Sequence, residues 1–170
     1  MSDAATLKDQ GNKAFAAKDF NKAIELFSQA IELDKANHVL YSNRSAAKAG
    51  LKDWAGALQD AEECVKINPK WAKGYARKGA ALHGSRRYDD AIAAYEAGIA
   101  IEDSPALRKG LKEVNDAKES DDSADPGGLL KQFADPNLIG KLAANPKTKP
   151  LLDDPAFVAK AFTSIAVPGR

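Results

Sequence analysis

The chain has 170 residues, 44% hydrophobic and 29% charged, which excludes a disordered tail and fits a soluble globular protein. Its 25 basic and 24 acidic residues leave a net charge of +1, excluding the broad positive field of a nonspecific nucleic-acid binder. No apolar run reaches membrane-spanning length, the first ten residues carry no targeting signal, and a lone Cys64 excludes an internal disulfide. The expectation is a cytoplasmic or nuclear monomer held together by packing.

From the N-terminus, apolar residues follow helical spacing twice, over roughly 4–17 and 20–33. Leu7, Gly11 and Ala14 mark the first stripe; Phe20, Ala23, Ile24, Phe27 and Ile31 mark the second. Lys18-Asp19 separates them. The same pattern then returns at a period of 34 residues. Gly11, Ser45 and Gly79 fall into one column, and Ala23, Ala57 and Ala91 into another. Phe20, Trp54 and Tyr88 form an aromatic column. Apolar columns join Leu7 with Tyr41 and Tyr75, Ile24 with Leu58 and Ile92, Ile31 with Val65 and Ile99, and Leu33 with Ile67 and Ile101. Turns are expected at 50–53 and at Asn68-Pro69, where proline cannot continue a helix. The unit is therefore a helix pair, and stacked pairs share a core and wind into a solenoid with a concave inner surface.

After Pro105, Leu107, Leu111 and Val114 make the stripe of a further helix that covers the end of the array. Acid, serine, proline and glycine then concentrate over 119–127, which reads as a flexible linker. Beyond it, Asp135-Pro136, Asn145-Pro146 and Asp154-Pro155 each resemble a capped helix start, so 128–170 is expected to be a bundle of short helices. Domain boundaries are accordingly set at 1–118, 119–127 and 128–170.

First helices line the inside of such a solenoid. Repeat positions 2, 5, 6 and 9 share one helical face. They hold Ala5, Lys8, Asp9 and Asn12, then Val39, Ser42, Asn43 and Ala46, then Lys73, Ala76, Arg77 and Ala80. Lys8, Lys73 and Arg77 thus converge with the amides of Asn12 and Asn43, opposed by Asp9 alone. Such a groove suits an anion with more than one carboxylate: lysine brings a compact charge, arginine a planar fork, asparagine an orienting donor. Phe15, Ala46 and Ala49 would add an apolar spot beside it, although for Phe15 alone core packing is the better reading.

The period and the helix-turn-helix unit resemble the tetratricopeptide repeat, whose fold is all-α: three repeats and a capping helix in a right-handed superhelix. Lys8 and Asn12 around QGN, Asn43 in YSNRSAA, and Lys73 with Arg77 in KGYARKGAAL are similar to the dicarboxylate clamp of chaperone-binding members. FADPNLIGKLAANPKTKPLLDDPAFVAKAF resembles the aspartate-proline-rich module of the stress-inducible, chaperone-organising co-chaperone family. The resemblance implies a partner: the C-terminus, ending Glu-Glu-Val-Asp, of the seventy-kilodalton heat-shock chaperone, with the ninety-kilodalton one as a further candidate. Lys8, Asn12 and Asn43 would hold its terminal carboxylate, and Lys73 and Arg77 an upstream carboxylate or backbone oxygen. The C-terminal module would contact client polypeptide.

No nucleophile stands with a base and an oxyanion donor, and His38 and His83 have no companion at metal-ligand spacing. The expectation is a binding protein, not an enzyme, without cofactor or metal. Two other readings stay open: a scaffold gripping folded partners by its convex face, and an adaptor domain of a larger enzyme.

Overall fold

The computed structural model describes residues 3–124, with side chains to Asp121. Helix α1 spans Ala4–Ala16, α2 Phe20–Leu33, α3 His38–Gly50, α4 Trp54–Ile67, α5 Ala72–Gly84, α6 Tyr88–Ile101 and α7 Pro105–Ala124. Every element among the described residues is helical, and none is long and apolar enough to cross a membrane. The chain divides into two compact units, Met1–Glu119 and Ser120–Arg170. The Asp-Pro segments of the expected bundle at 128–170 lie outside the described residues.

Helix boundaries follow local chemistry. The helices of each pair are joined through Lys18, Lys52 or Arg86, with φ of 61°, 61° and 60° respectively. These non-glycine residues in the left-handed region mark the sharp reversal that folds each second helix back on the first. Asp19 and Asp53 then cap α2 and α4, accepting hydrogen bonds from Lys22 N at 3.1 Å and Gly56 N at 3.0 Å. The aromatic column Phe20, Trp54, Tyr88 supplies the first residue of α2, α4 and α6.

Packing explains the small-residue columns. A Cβ on Gly11 would stand 2.6 Å from the Phe27 ring, and one on Gly79 would stand 2.7 Å from the Tyr95 ring. Hydrogen at these two positions lets each first helix approach its partner's aromatic. Ser45, in the same column, donates its hydroxyl to Ala57 O at 2.8 Å. Ala23, Ala57 and Ala91 are fully buried. Leu107 and Val114 of α7 join Leu82, Ala94 and Tyr95 in one apolar cluster, so the last helix covers the end of the array. Each large core side chain removed from water contributes about 1.5–3 kcal/mol.

First helices touch one another along the array, α1 with α3 and α3 with α5, alongside contacts within each pair and from α2 to α3 and α4 to α5. That asymmetry puts α1, α3 and α5 on the inner side. Between the layers lies a buried ion cluster. Asp60 of α4, 2% exposed, accepts from Arg44 Nε at 2.8 Å and Nη2 at 2.7 Å, while Lys48 Nζ stands 2.9 Å away. Arg44 Nη1 also donates to Ser28 Oγ at 3.0 Å, tying α2 to α3 and α4. The hydrogen bonds that Arg44 donates to Asp60 raise its pKa above the usual value.

Three expectations need correction. Leu33 and Ile101, which share an apolar column of the repeat, are 59% and 41% exposed at the last residue of their helices. Phe15 is 37% exposed, stacked edge-on against Phe20 with ring centroids 5.5 Å apart, and so is not a core residue. Helix α7 continues to Ala124, past position 119 where the composition suggests a linker. Acid and serine lower helix propensity only modestly; the residues that oppose a helix outright, Pro126, Gly127 and Gly128, come later.

Candidate functional site

The inner helices deliver their side chains in pairs. Lys8 and Asn12 stand one turn apart on α1, Asn43 lies on α3, and Lys73 and Arg77 stand one turn apart on α5. Caps set these registers. Asp3 accepts from Thr6 N at 2.6 Å, and Asn37 accepts from Val39 N at 3.2 Å; α5 starts after Trp71 without a side-chain cap. Two hydrogen bonds cross between inner helices. Asn43 Nδ2 donates to Asn12 Oδ1 at 3.0 Å, and Arg77 Nε donates to Ser42 Oγ at 3.4 Å.

A cavity of about 50 Å³, partly open to solvent, is lined by Asn12, Phe15, Phe27, Asn43, Ala46 and Arg77. Three of the five expected polar residues thus share one cavity, together with two of the three expected apolar ones. Lys8, Lys73 and Ala49 are not part of its lining. Lys73 Nζ instead sits 5.9 Å from the Trp71 ring centre, within reach of a cation–π attraction. Phe27 forms part of the wall although it is 1% exposed and belongs to the core.

Charge sets this groove apart. Among the described residues, Lys8, Lys73 and Arg77 have no carboxylate within salt-bridge distance, and Asp9, expected to oppose them, pairs with none of them. Burial lowers the Arg77 pKa from its usual value, and the nearby Cys64 and Tyr95 side chains act against that shift. Arginine stays charged regardless, so the lowering measures a desolvated cation without a counter-ion. A carboxylate entering the cavity would supply one. Its apolar wall, Phe15, Phe27 and Ala46, lowers the local dielectric and strengthens that attraction.

Other side chains take structural places. His38 lies edge-on to Trp71, centroids 4.7 Å apart, and its Nε2 is 3.2 Å from Asn68 Nδ2. Cys64 is fully buried, and burial pushes its thiol up to about 11. Sequence reasoning placed Ser42 on the inner face without a role, and took Phe27 as core alone. It missed the Asp60 cluster altogether; the available signal was an acid in the column of Leu26 and Ala94.

The repeat architecture recurs in known proteins. A tetratricopeptide-repeat profile matches residues 8–37 and 72–105. Heat shock protein STI1 of Saccharomyces cerevisiae is 50% identical over 155 residues, covering 90% of this chain and 26% of the relative. The Hsp70-Hsp90 organizing protein of Triticum aestivum is 44% identical over 163 residues, covering 93% of this chain and 28% of the relative. The chain therefore spans about a quarter of the length of these relatives. Among solved structures, the first tetratricopeptide domain of Spaghetti (RPAP3), bound to the HSP90 peptide SRMEEVD, superposes with a TM-score of 0.64 at 30% identity. That match covers 68% of this chain and 93% of the other.

Proposed function

The chain belongs to the tetratricopeptide-repeat family, and from that premise we propose that it is a co-chaperone adaptor. Its groove receives the acidic C-terminus, ending Glu-Glu-Val-Asp, of the seventy-kilodalton heat-shock chaperone. One observation carries the reading: Arg77, a desolvated cation with no carboxylate partner among the described residues, shares a small, partly apolar cavity with the amides of Asn12 and Asn43, and Lys8 and Lys73 stand one turn from Asn12 and Arg77 on the same inner helices. Lys8, Asn12 and Asn43 hold the terminal carboxylate, and Lys73 and Arg77 meet an upstream carboxylate or backbone oxygen. Phe15 and Ala46 give a branched side chain of the peptide an apolar seat. The adaptor acts by binding and carries no chemical step. The segment 128–170 assists client transfer toward the ninety-kilodalton chaperone.

Calorimetric titration with an eight-residue peptide ending Glu-Glu-Val-Asp, run beside its C-terminally amidated twin, tests the reading. The free acid binds and the amide loses most of that affinity, because amidation removes the charge the groove lacks. Equal binding of both would sink the clamp. The peptide held by the RPAP3 domain favours a second reading, with the ninety-kilodalton chaperone as ligand. Competition between the two chaperones' peptides separates them.

A further inference from the structure

Ser42 is fully buried, yet it touches the one groove cation that is itself desolvated. It has no surface to offer a ligand, and its side chain reaches the groove through its hydrogen bond with Arg77. The guanidinium carries five N–H donors; the Nε bond to Ser42 Oγ at 3.4 Å occupies one and leaves the terminal nitrogens free. No other hydrogen bond from Arg77 exists among the described residues. The titratable side chains in electrostatic reach of it, Cys64 and Tyr95, are neutral at physiological pH, and burial pushes both of their pKa values up. A long, rotamer-rich side chain is thus held toward the groove by one hydroxyl.

The neighbouring residue does a matching task on the other side. Asn43 Nδ2 donates to Asn12 Oδ1, which occupies the acceptor of the Asn12 amide and leaves its NH₂ to face a carboxylate. Consecutive residues of α3 therefore brace α1 and α5, the two helices that carry the cations. Holding donors in their bound geometry lowers the ordering cost of binding.

We propose that Ser42 is a positioning residue of the groove, holding Arg77 by its Nε edge so that the terminal nitrogens meet an incoming carboxylate. This deepens the peptide-binding reading and rests on it. The test is a double-mutant cycle with the free-acid Glu-Glu-Val-Asp peptide: wild type, Ser42→Ala, Arg77→Ala and the double variant. Ser42→Ala weakens binding by roughly three- to tenfold in the wild-type background, the lower part of the range for one coupled side-chain pair. In the Arg77→Ala background it changes nothing. A purely structural role would lower affinity by the same factor in both backgrounds, and that result, or no effect in either, overturns the proposal. Urea midpoints of all four proteins monitor the fold. Should Ser42→Ala not fold, Ser42→Cys keeps the side-chain shape with slightly more volume, weakens the acceptor, and carries the same cycle. Loss of the free-acid preference in the wild type itself would overturn the groove reading, a separate and visible failure.

Discussion

Two groups of cations meet at helix α3, and they differ in one respect. Arg44 and Lys48 converge on Asp60, which answers their charge inside the protein with bonds of 2.7–2.9 Å. Lys8, Lys73 and Arg77 line the inner helices with no acid among the described residues to answer them. Adjacent positions, Asn43 and Arg44, face these opposite situations. A cation closed by its own acid is a rivet between helices; a cation left open on the inner face is, under the proposed function, where an anion binds. Charge type and helical spacing alone do not separate the two. Closure does.

The largest effect should come from opening the closed cluster. Asp60→Ala leaves Arg44 and Lys48 partly buried without a counter-ion, and the loss of folding stability should be about 3–5 kcal/mol. Urea denaturation measures it. Replacing the group by apolar residues, Asp60→Leu with Arg44→Met and Lys48→Met, should recover most of that loss, since a matched apolar core often equals a buried ion group. If Asp60→Ala were nearly neutral, the distinction between rivet and site would collapse.

The complementary change is Arg77→Ala. Removing an open cation should lower affinity for the free-acid peptide by about 2–4 kcal/mol, because the ligand carboxylate is left desolvated and unpaired. Folding stability should move by less than about 1 kcal/mol, chiefly from lost stem packing. Calorimetry and urea melts on the same protein check both halves. A large stability loss with unchanged affinity would reverse the assignment.

Much of this was legible before any coordinates. The 34-residue columns identify the helix pairs because close approach needs hydrogen or methyl at fixed positions, as Gly11 against Phe27 and Ala23 in the core illustrate. Inner-face spacing brought out Asn12, Asn43 and Arg77, which do share a cavity. Exposure of Leu33 and Ile101 was not legible, since periodicity reports a face and not whether a neighbour covers its last turn. Nor was the Asp60 cluster, in which Arg44 and Asp60 lie 16 residues apart on different helices. Ser42 escaped for the same reason: its meaning lies in a bond to a residue 35 positions away.

Cys64 offers a pH readout at the boundary between the two groups, one helical turn after Asp60 and within the electrostatic reach of Arg77. Burial raises its thiol from the usual 9.0 to about 11, against a smaller lowering by Arg77. The folded protein therefore keeps the proton through a range where the unfolded chain has released it, and stability falls as pH rises from about 9 to about 11. Near pH 10 the loss should be about 1 kcal/mol, and Cys64→Ala, which matches Ala30 in its column, should remove that share of the alkaline decline. In the Arg77→Ala background the thiol loses its one favourable charge, so the decline should persist to higher pH. An unchanged alkaline limb would mean that Arg77 points away from Cys64 and is less desolvated than its position implies.

The smallest test asks whether charge closure matters at an exposed position too. Helices α2 and α4 begin with aspartate caps, but α6 begins with Arg87, which makes no side-chain cap and pairs with Asp90 at 2.7 Å. Exposed pairs of this kind contribute little, whereas a cap hydrogen bond typically contributes about 1 kcal/mol. Arg87→Asp restores the register of the first two repeats, although Asp89 and Asp90 stand close by and part of the gain is offset by repulsion. The expected net change is about 0.5 kcal/mol of added stability, with Arg87→Ala unchanged within about 0.3 kcal/mol. Peptide affinity should stay level in both variants, because Arg87 lies outside the inner helices. A loss of affinity in Arg87→Asp would extend the open group beyond the concave face and redraw its boundary.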